Sequence, residues 1–243
     1  MLQYLRSVVF IGQMYVAMPI FGLLFAPWAL FDRRGAFAAC KSYSRYVFWT
    51  AQWMVGIRCE VRGTPPTGEA LVAAKHQSFL DIMMIFTALP AGKFIMKKEI
   101  LMAPVIGLYA KKLGCVPIDR GKRGAAIDKM VADVNAGRTA PGQLIIYSQG
   151  TRVAPGVKMP YKVGTGILYD QLSQPCVPVA TNVGVLWPKR GILRKPGVAV
   201  VEFLPTIAPG MERSAFMAKL EADVESTSDA LMAEAGFAHD KTA

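Results

Sequence analysis

The chain opens on 25 consecutive uncharged residues, Ser7 to Phe31, set between Arg6 and Asp32. A run of this length can cross a bilayer, although Gly12, Gln13, Pro19, Gly22 and Pro27 interrupt it. A cleaved signal peptide is disfavoured, because the run is too long and no convincing Ala-x-Ala cleavage site follows it. Asp32-Arg33-Arg34-Gly35 then breaks the run. Residues 36–55 mix Lys41 and Arg45 with Tyr43, Tyr46, Phe48, Trp49 and Trp53, which suits a helix lying in the headgroup zone. A helical hairpin packed on a soluble core is the alternative reading.

After residue 56 the pattern changes to short apolar runs alternating with amphipathic stretches. Residues 57–62 alternate as a strand, and Gly63 to Gly68 with two prolines is a loop. Residues 70–74 read as a buried strand giving way to a helix from Phe79 onward. Strands follow at 93–96, 115–118, 143–147, 177–180 and 198–203, with helices at 104–113, 125–134 and 162–172. A final helix over 211–235 carries Phe216, Leu220, Val224, Leu231 and Ala235 on one face. This order predicts an α/β fold, with a mixed, mostly parallel sheet flanked by helices. It divides into a membrane-associated two-helix segment, 1–56, and an α/β domain, 57–243.

Composition strengthens the membrane reading: 53% of the 243 residues are hydrophobic and mean hydropathy is +0.31. Charge divides the chain unevenly. Residues 211–243 hold three Lys/Arg against seven Asp/Glu, while the rest carries a net +15. Such a basic body attracts anionic lipid surfaces, phosphorylated substrates or acidic carrier proteins. No zinc-finger spacing, RNP-like motif or helix-turn-helix pattern accompanies the charge, which argues against nucleic acid as a partner. Cys40, Cys59, Cys115 and Cys176 are scattered, with no Cys-x-x-Cys pair, so neither disulfides nor a metal site is expected.

The chain has two histidines, His76 and His239, and the second lies five residues from the C-terminus. His76 falls where a strand meets a helix, the place where α/β proteins build sites, and it is the candidate general base near neutral pH. Asp81 follows at a spacing that lets a carboxylate in the first helical turn orient an imidazole on the turn before it. Ser78 to Asp81 also fits a capping box, and the two roles are compatible. Two further strand ends carry polar clusters, Asp119-Arg120-Gly121 and Ser148-Gln149-Gly150-Thr151-Arg152. Arginine suits a bidentate grip on phosphate, and glycine lets the backbone turn sharply against a ligand.

His76-x4-Asp81, Gly114-Cys-Val-Pro-Ile-Asp119-Arg120, Gly150-Thr151-Arg152 and Val177-Pro178-Val179-Ala180, in this order, resemble the glycerolipid acyltransferase family, in particular the 1-acylglycerol-3-phosphate acyltransferases. The resemblance covers about Val72 to Ala180 and extends to the two-segment N-terminus. It implies acyl transfer from coenzyme A or acyl carrier protein to a lysophospholipid hydroxyl, giving phosphatidic acid, with no cofactor; Arg33, Arg34 and the basic domain after them outweigh Arg6 and place the body on the cytoplasmic face of the inner membrane. The resemblance further implies that His76 is the base and Asp81 its orienting carboxylate. Arg152 with Arg120, Lys97, Gly150 and Thr151 would hold the acceptor phosphate, and Val177, Pro178 and Val179 would line or support the acyl pocket. The chain departs from the family's Pro-Glu-Gly-Thr-Arg at Ser148 and Gln149, and Lys75 stands where an asparagine often precedes the histidine. A lyso-ornithine lipid, which lacks the phosphate, is the alternative acceptor.

Two readings compete from other classes. Ile146-Tyr147-Ser148-Gln149-Gly150 is close to a hydrolase nucleophile elbow, but it lacks the first glycine, and His76 precedes Ser148 against the usual order. A non-catalytic protein that uses its basic body to bind lipid surfaces is the other.

Overall fold

The computed structural model describes residues 1–118, Ala132 and 141–238. The predicted helix 125–134, most of it, and Arg120 with its loop lie outside the described residues. The uncharged N-terminal run forms one 30-residue helix, α1 (Leu2–Phe31), continuous through Pro19 and Pro27. It stops at Asp32, whose extended backbone turns the chain and whose carboxylate accepts the Arg34 N–H at 2.8 Å. From there α2 (Arg33–Thr50) runs back along α1 and ends in a π-helical turn, Ala51–Val55. A Cβ on Gly35 would come within 2.6 Å of the Ala29 nitrogen, so the two helices approach this closely only with glycine there.

The strands are β1 (Ile57–Gly63), β2 (Ala70–Ala74), β3 (Lys93–Lys97), β4 (Val116–Ile118), β5 (Gln143–Tyr147), β6 (Cys176–Thr181) and β7 (Gly197–Phe203). They form one sheet in the order β1-β7-β6-β2-β5-β3-β4. β6, β2, β5, β3 and β4 are mutually parallel, β7 runs antiparallel to β6, and β1 is parallel to β7. The sheet is thus mixed and mostly parallel, as the strand and helix alternation predicts. β2 lies at its centre with all five residues buried, which explains an apolar run without alternation.

Alternate residues of the central strands feed two separate cores. Val72, Ala74, Ile145, Val177 and Val179 point to one face, together with residues of α1, α2, α3 (Leu80–Ala88) and α4 (Pro104–Leu113). Leu71, Ala73, Leu144, Cys176 and Ala180 point to the other, beneath α5 (Gly164–Leu172) and the C-terminal helix. A short helix, α6 (Val183–Leu186), precedes β7, and α7 (Arg213–Glu234) closes the fold. α7 buries Phe216, Leu220, Val224, Leu231 and Met232 in the expected stripe, while Ala235 lies past its end and is half-buried.

α1 has the reverse arrangement. It buries chiefly small residues, among them Ser7, Ala17, Gly22 and Ala29, and exposes Val16, Ile20, Leu23, Leu24, Leu30 and Phe31. Small residues let helix backbones approach, and large outward aliphatics suit lipid rather than water. The helix is long and apolar enough to cross a membrane, yet it is tied to the domain along its length. Gln3 Nε2 donates to the carbonyls of Val55 and Arg194, Tyr109 Oη to that of Gly22 and Lys112 Nζ to that of Leu30.

Candidate active site

The carboxyl ends of the five parallel strands meet at one edge of the sheet, and the polar clusters that follow β2 and β5 lie there. β2 ends at Ala74, in register with Tyr147 of β5 and Val179 of β6. Two residues on, His76 Nδ1 lies 2.7 Å from Asp81 Oδ1. The carboxylate is fully buried and its second oxygen accepts the N–H groups of Gln77 at 2.8 Å and Ser78 at 2.7 Å. One side chain therefore both starts α3 and holds the imidazole. Both halves of the expected capping box are present, since Ser78 Oγ accepts the Leu80 N–H at 3.3 Å and Asp81 reaches back to the Ser78 N–H. An ionised carboxylate can only accept, so it fixes the proton on Nδ1 and leaves Nε2 as the basic nitrogen.

The imidazole stacks on Tyr147, with ring centroids 3.9 Å apart and planes 17° from parallel. Burial, followed by the nearby Asp81 charge, pushes the Tyr147 phenol well above its ordinary range, so it stays neutral. Rings continue away from His76 through Phe94 and Phe86. Both border an open apolar cavity of about 210 Å³ lined by α1, α2, α3, α4 and β3, with Phe79, Met83, Val105 and Tyr109 in its wall. Val177, Pro178 and Val179 do not line this cavity. They are buried within β6, where Val179 accepts the Lys75 N–H at 3.0 Å and so braces the strand that carries His76. Val177 and Val179 belong to the same apolar core as Phe86 and Phe94, which border the cavity.

At the end of β5 the chain turns on Gly150, with φ of +71° and its N–H on the Tyr147 carbonyl at 2.8 Å. Val153 N–H then donates to the His76 carbonyl at 2.8 Å. This bond ties the half-buried Thr151 and Arg152 to the histidine turn. Lys97 ends β3 at the same edge, exposed and in register with Ile118 of β4. Arg120, two residues past Ile118, lies outside the described residues. Ser148 is buried and among the described residues its hydroxyl makes no hydrogen bond, to His76 or otherwise, so no described base stands behind the hydrolase elbow. Gln149 is buried as well and donates from Nε2 to the Met159 carbonyl at 3.0 Å. A glutamate could not donate there, while the amide's Oε1 is buried with no hydrogen-bond partner among the described residues.

The residues flanking His76 are held by the C-terminal helix, which local sequence does not announce. Lys75, only 2% exposed, pairs with Glu225 of α7, whose other oxygen accepts the Tyr161 hydroxyl at 3.0 Å. On the far side Gln77 reaches Met232 Sδ and accepts the Gly184 N–H at 3.0 Å. A lysine ending an all-buried strand is the one clue that a partner must exist. The four thiols are unpaired, and burial pushes that of Cys176 up to about 12, leaving it inert near neutrality.

A family model described as Acyltransferase matches residues 57–182, from β1 through β6 and the whole edge just described. The chain belongs to the acyltransferase family. A 1-acyl-sn-glycerol-3-phosphate acyltransferase of Pseudomonas aeruginosa is 26% identical to this acyltransferase over 237 residues, covering 96% of the chain and 92% of that relative. A 1-acyl-sn-glycerol-3-phosphate acyltransferase alpha of Mus musculus is 31% identical over 170 residues, 68% of the chain and 60% of that relative. The crystal structure of the 1-acyl-sn-glycerophosphate (LPA) acyltransferase PlsC from Thermotoga maritima superimposes with a TM-score of 0.79 at 19% identity, covering 94% of the chain and 95% of that protein. The acyltransferase shares that fold.

Proposed function

We propose that the acyltransferase moves a fatty acyl group from a thioester, on coenzyme A or acyl carrier protein, to the free hydroxyl of 1-acylglycerol-3-phosphate, giving phosphatidic acid. The observation that carries this reading is the 2.7 Å contact between His76 and the buried Asp81, in a chain whose relatives bear that activity in their names. An alcohol is far too weak an acid to ionise at neutral pH, so its attack needs a base that takes the proton as the bond forms. Nε2 of His76 is that base, and Asp81 stabilises the imidazolium. The hydroxyl oxygen bonds to the thioester carbonyl carbon, the tetrahedral adduct expels the thiolate, and the imidazolium returns its proton to the sulfur. Arg152, with Arg120 and Lys97, neutralises the acceptor phosphate, and the apolar cavity takes a fatty chain.

The ties along α1 support a helix lying in one leaflet rather than crossing it. Arg33 and Arg34 at its end favour the cytoplasmic face. The test is a product assay in which purified protein is offered lysophosphatidic acid and lyso-ornithine lipid, each with acyl-coenzyme A and with acyl carrier protein. Phosphatidic acid is the expected product, absent with His76→Ala. Acylation of the ornithine lipid alone would reassign the acceptor, and undiminished transfer by His76→Ala would remove the imidazole from the mechanism.

A further inference from the structure

The segment between α6 and β7, Trp187-Pro188-Lys189-Arg190-Gly191-Ile192-Leu193-Arg194-Lys195-Pro196, has no part in the chemistry above, yet it is built with unusual care. Its tip exposes Ile192 and Leu193 beside the exposed cations Lys189, Arg190 and Lys195. Arg194 points the other way. Its buried guanidinium lies over the Trp187 ring at 4.6 Å and its Nη1 donates to the carbonyls of Gly191, Ile192 and Leu193 at 3.0, 3.1 and 3.4 Å. A loop facing water has no need of this, because water satisfies such carbonyls. A loop entering an apolar phase must satisfy them internally. The arrangement thus turns the polar backbone inward and the two aliphatic side chains outward.

The same loop is fastened to the apolar helix. Arg194 N–H donates to Ser7 Oγ at 2.9 Å, Gln3 Nε2 donates to the Arg194 carbonyl at 2.8 Å, and Trp187 packs edge-on against Phe10. The loop is thereby fastened to the first three turns of α1, a stretch whose other side exposes Leu2, Leu5, Val8 and Val9. At its other end, Lys189 Nζ donates to the Arg152 carbonyl at 2.9 Å. We propose that this loop is a second membrane contact, with Ile192 and Leu193 entering the interface of a bilayer and Arg190 and Lys195 binding anionic phospholipid headgroups around them. The inference rests on the membrane-surface reading of α1 and not on acyl transfer. A chain that binds vesicles but transfers nothing would leave it standing.

The test is sedimentation of the full chain with vesicles of phosphatidylcholine, with or without phosphatidylglycerol. Near an anionic surface each cation contributes enough that Arg190→Ala/Lys195→Ala is expected to bind the phosphatidylglycerol vesicles about thirtyfold more weakly, with binding to pure phosphatidylcholine unchanged. Ile192→Ser/Leu193→Ser is expected to weaken binding to both. Both double variants keep the wild-type far-ultraviolet spectrum and urea midpoint, which verifies that they fold. Leu193→Cys carrying an environment-sensitive NBD dye, with wild type carried through the same labelling as the blank, is expected to shift its emission to the blue on vesicle addition. Wild-type binding by either double variant, an equal loss on both lipids when the cations are removed, or an unshifted dye would each overturn the proposal.

Discussion

The two faces of the sheet are covered by helices of opposite construction. Toward α7 the arrangement is that of a protein in water: large apolar residues inward and Glu221 and Glu234 outward, with polar ties linking helix to sheet. Thr181 N–H donates to Ser228 Oγ at 3.2 Å, Asn182 Nδ2 to the Leu231 carbonyl at 3.0 Å, and Lys75 pairs with Glu225. Toward α1 Phe10 and Met14 are the large residues fully buried, the other buried positions are small, and many large aliphatics lie outside. The difference teaches where each helix finds its stabilisation. α7 gains it from the sheet, and a solvent that accepts Leu23, Leu24 and Phe31 must supply much of what holds α1.

The site lies at the seam of these faces, and breaking it has the largest expected effect. His76→Ala should lower kcat by about 10²–10⁴-fold with an unchanged far-ultraviolet spectrum. Next comes the watery face. Phe216, fully buried and stacked on Tyr169 at 3.7 Å, should cost about 3–5 kcal/mol in urea denaturation when replaced by Ala. Lys75→Met leaves Glu225 without its cation and should cost about 3 kcal/mol. It should also lower activity, because the strand end carrying His76 loses its tie. The membrane face should behave in reverse: Leu23→Ser/Leu24→Ser should change stability by less than about 0.5 kcal/mol but weaken vesicle binding by about tenfold or more. Equal losses of stability on both faces would erase the contrast.

The smallest effect concerns the start of α7. The Ser214 hydroxyl, then the N–H groups of Ser214 and Ala215, hold the Glu212 carboxyl at about 2, below its ordinary 4.5. A depressed carboxyl stabilises the fold above its ordinary value, and that contribution is lost as pH falls through about 2. Glu212→Gln should flatten the acid limb of the urea midpoint between these values.

Much of this was legible from local pattern. β5 and α4 fall on their expected bounds, α7 within two residues at its start, and the break at Asp32 follows from the charges around it. His76 and Asp81 were legible because five residues of spacing carry them from strand end to first helical turn. What local pattern cannot carry is contact across the chain. Lys75 and Glu225 stand 150 residues apart, and the Tyr147 platform exists because β5 pairs beside β2. The buried course of Val177 to Val179 likewise follows from β6 lying inside the sheet. The Arg194 loop escaped notice because guanidinium-to-carbonyl bonds leave no periodicity.

The outward aliphatic face of α1 has a kinetic consequence. Under the proposed function the enzyme is held on the layer from which it draws its acceptor, and it then responds to how crowded that layer is with acceptor, not to the amount per volume of buffer. Diluting lysophosphatidic acid with inert lipid at constant bulk amount should slow turnover, and the Michaelis constant takes its meaning as a surface fraction.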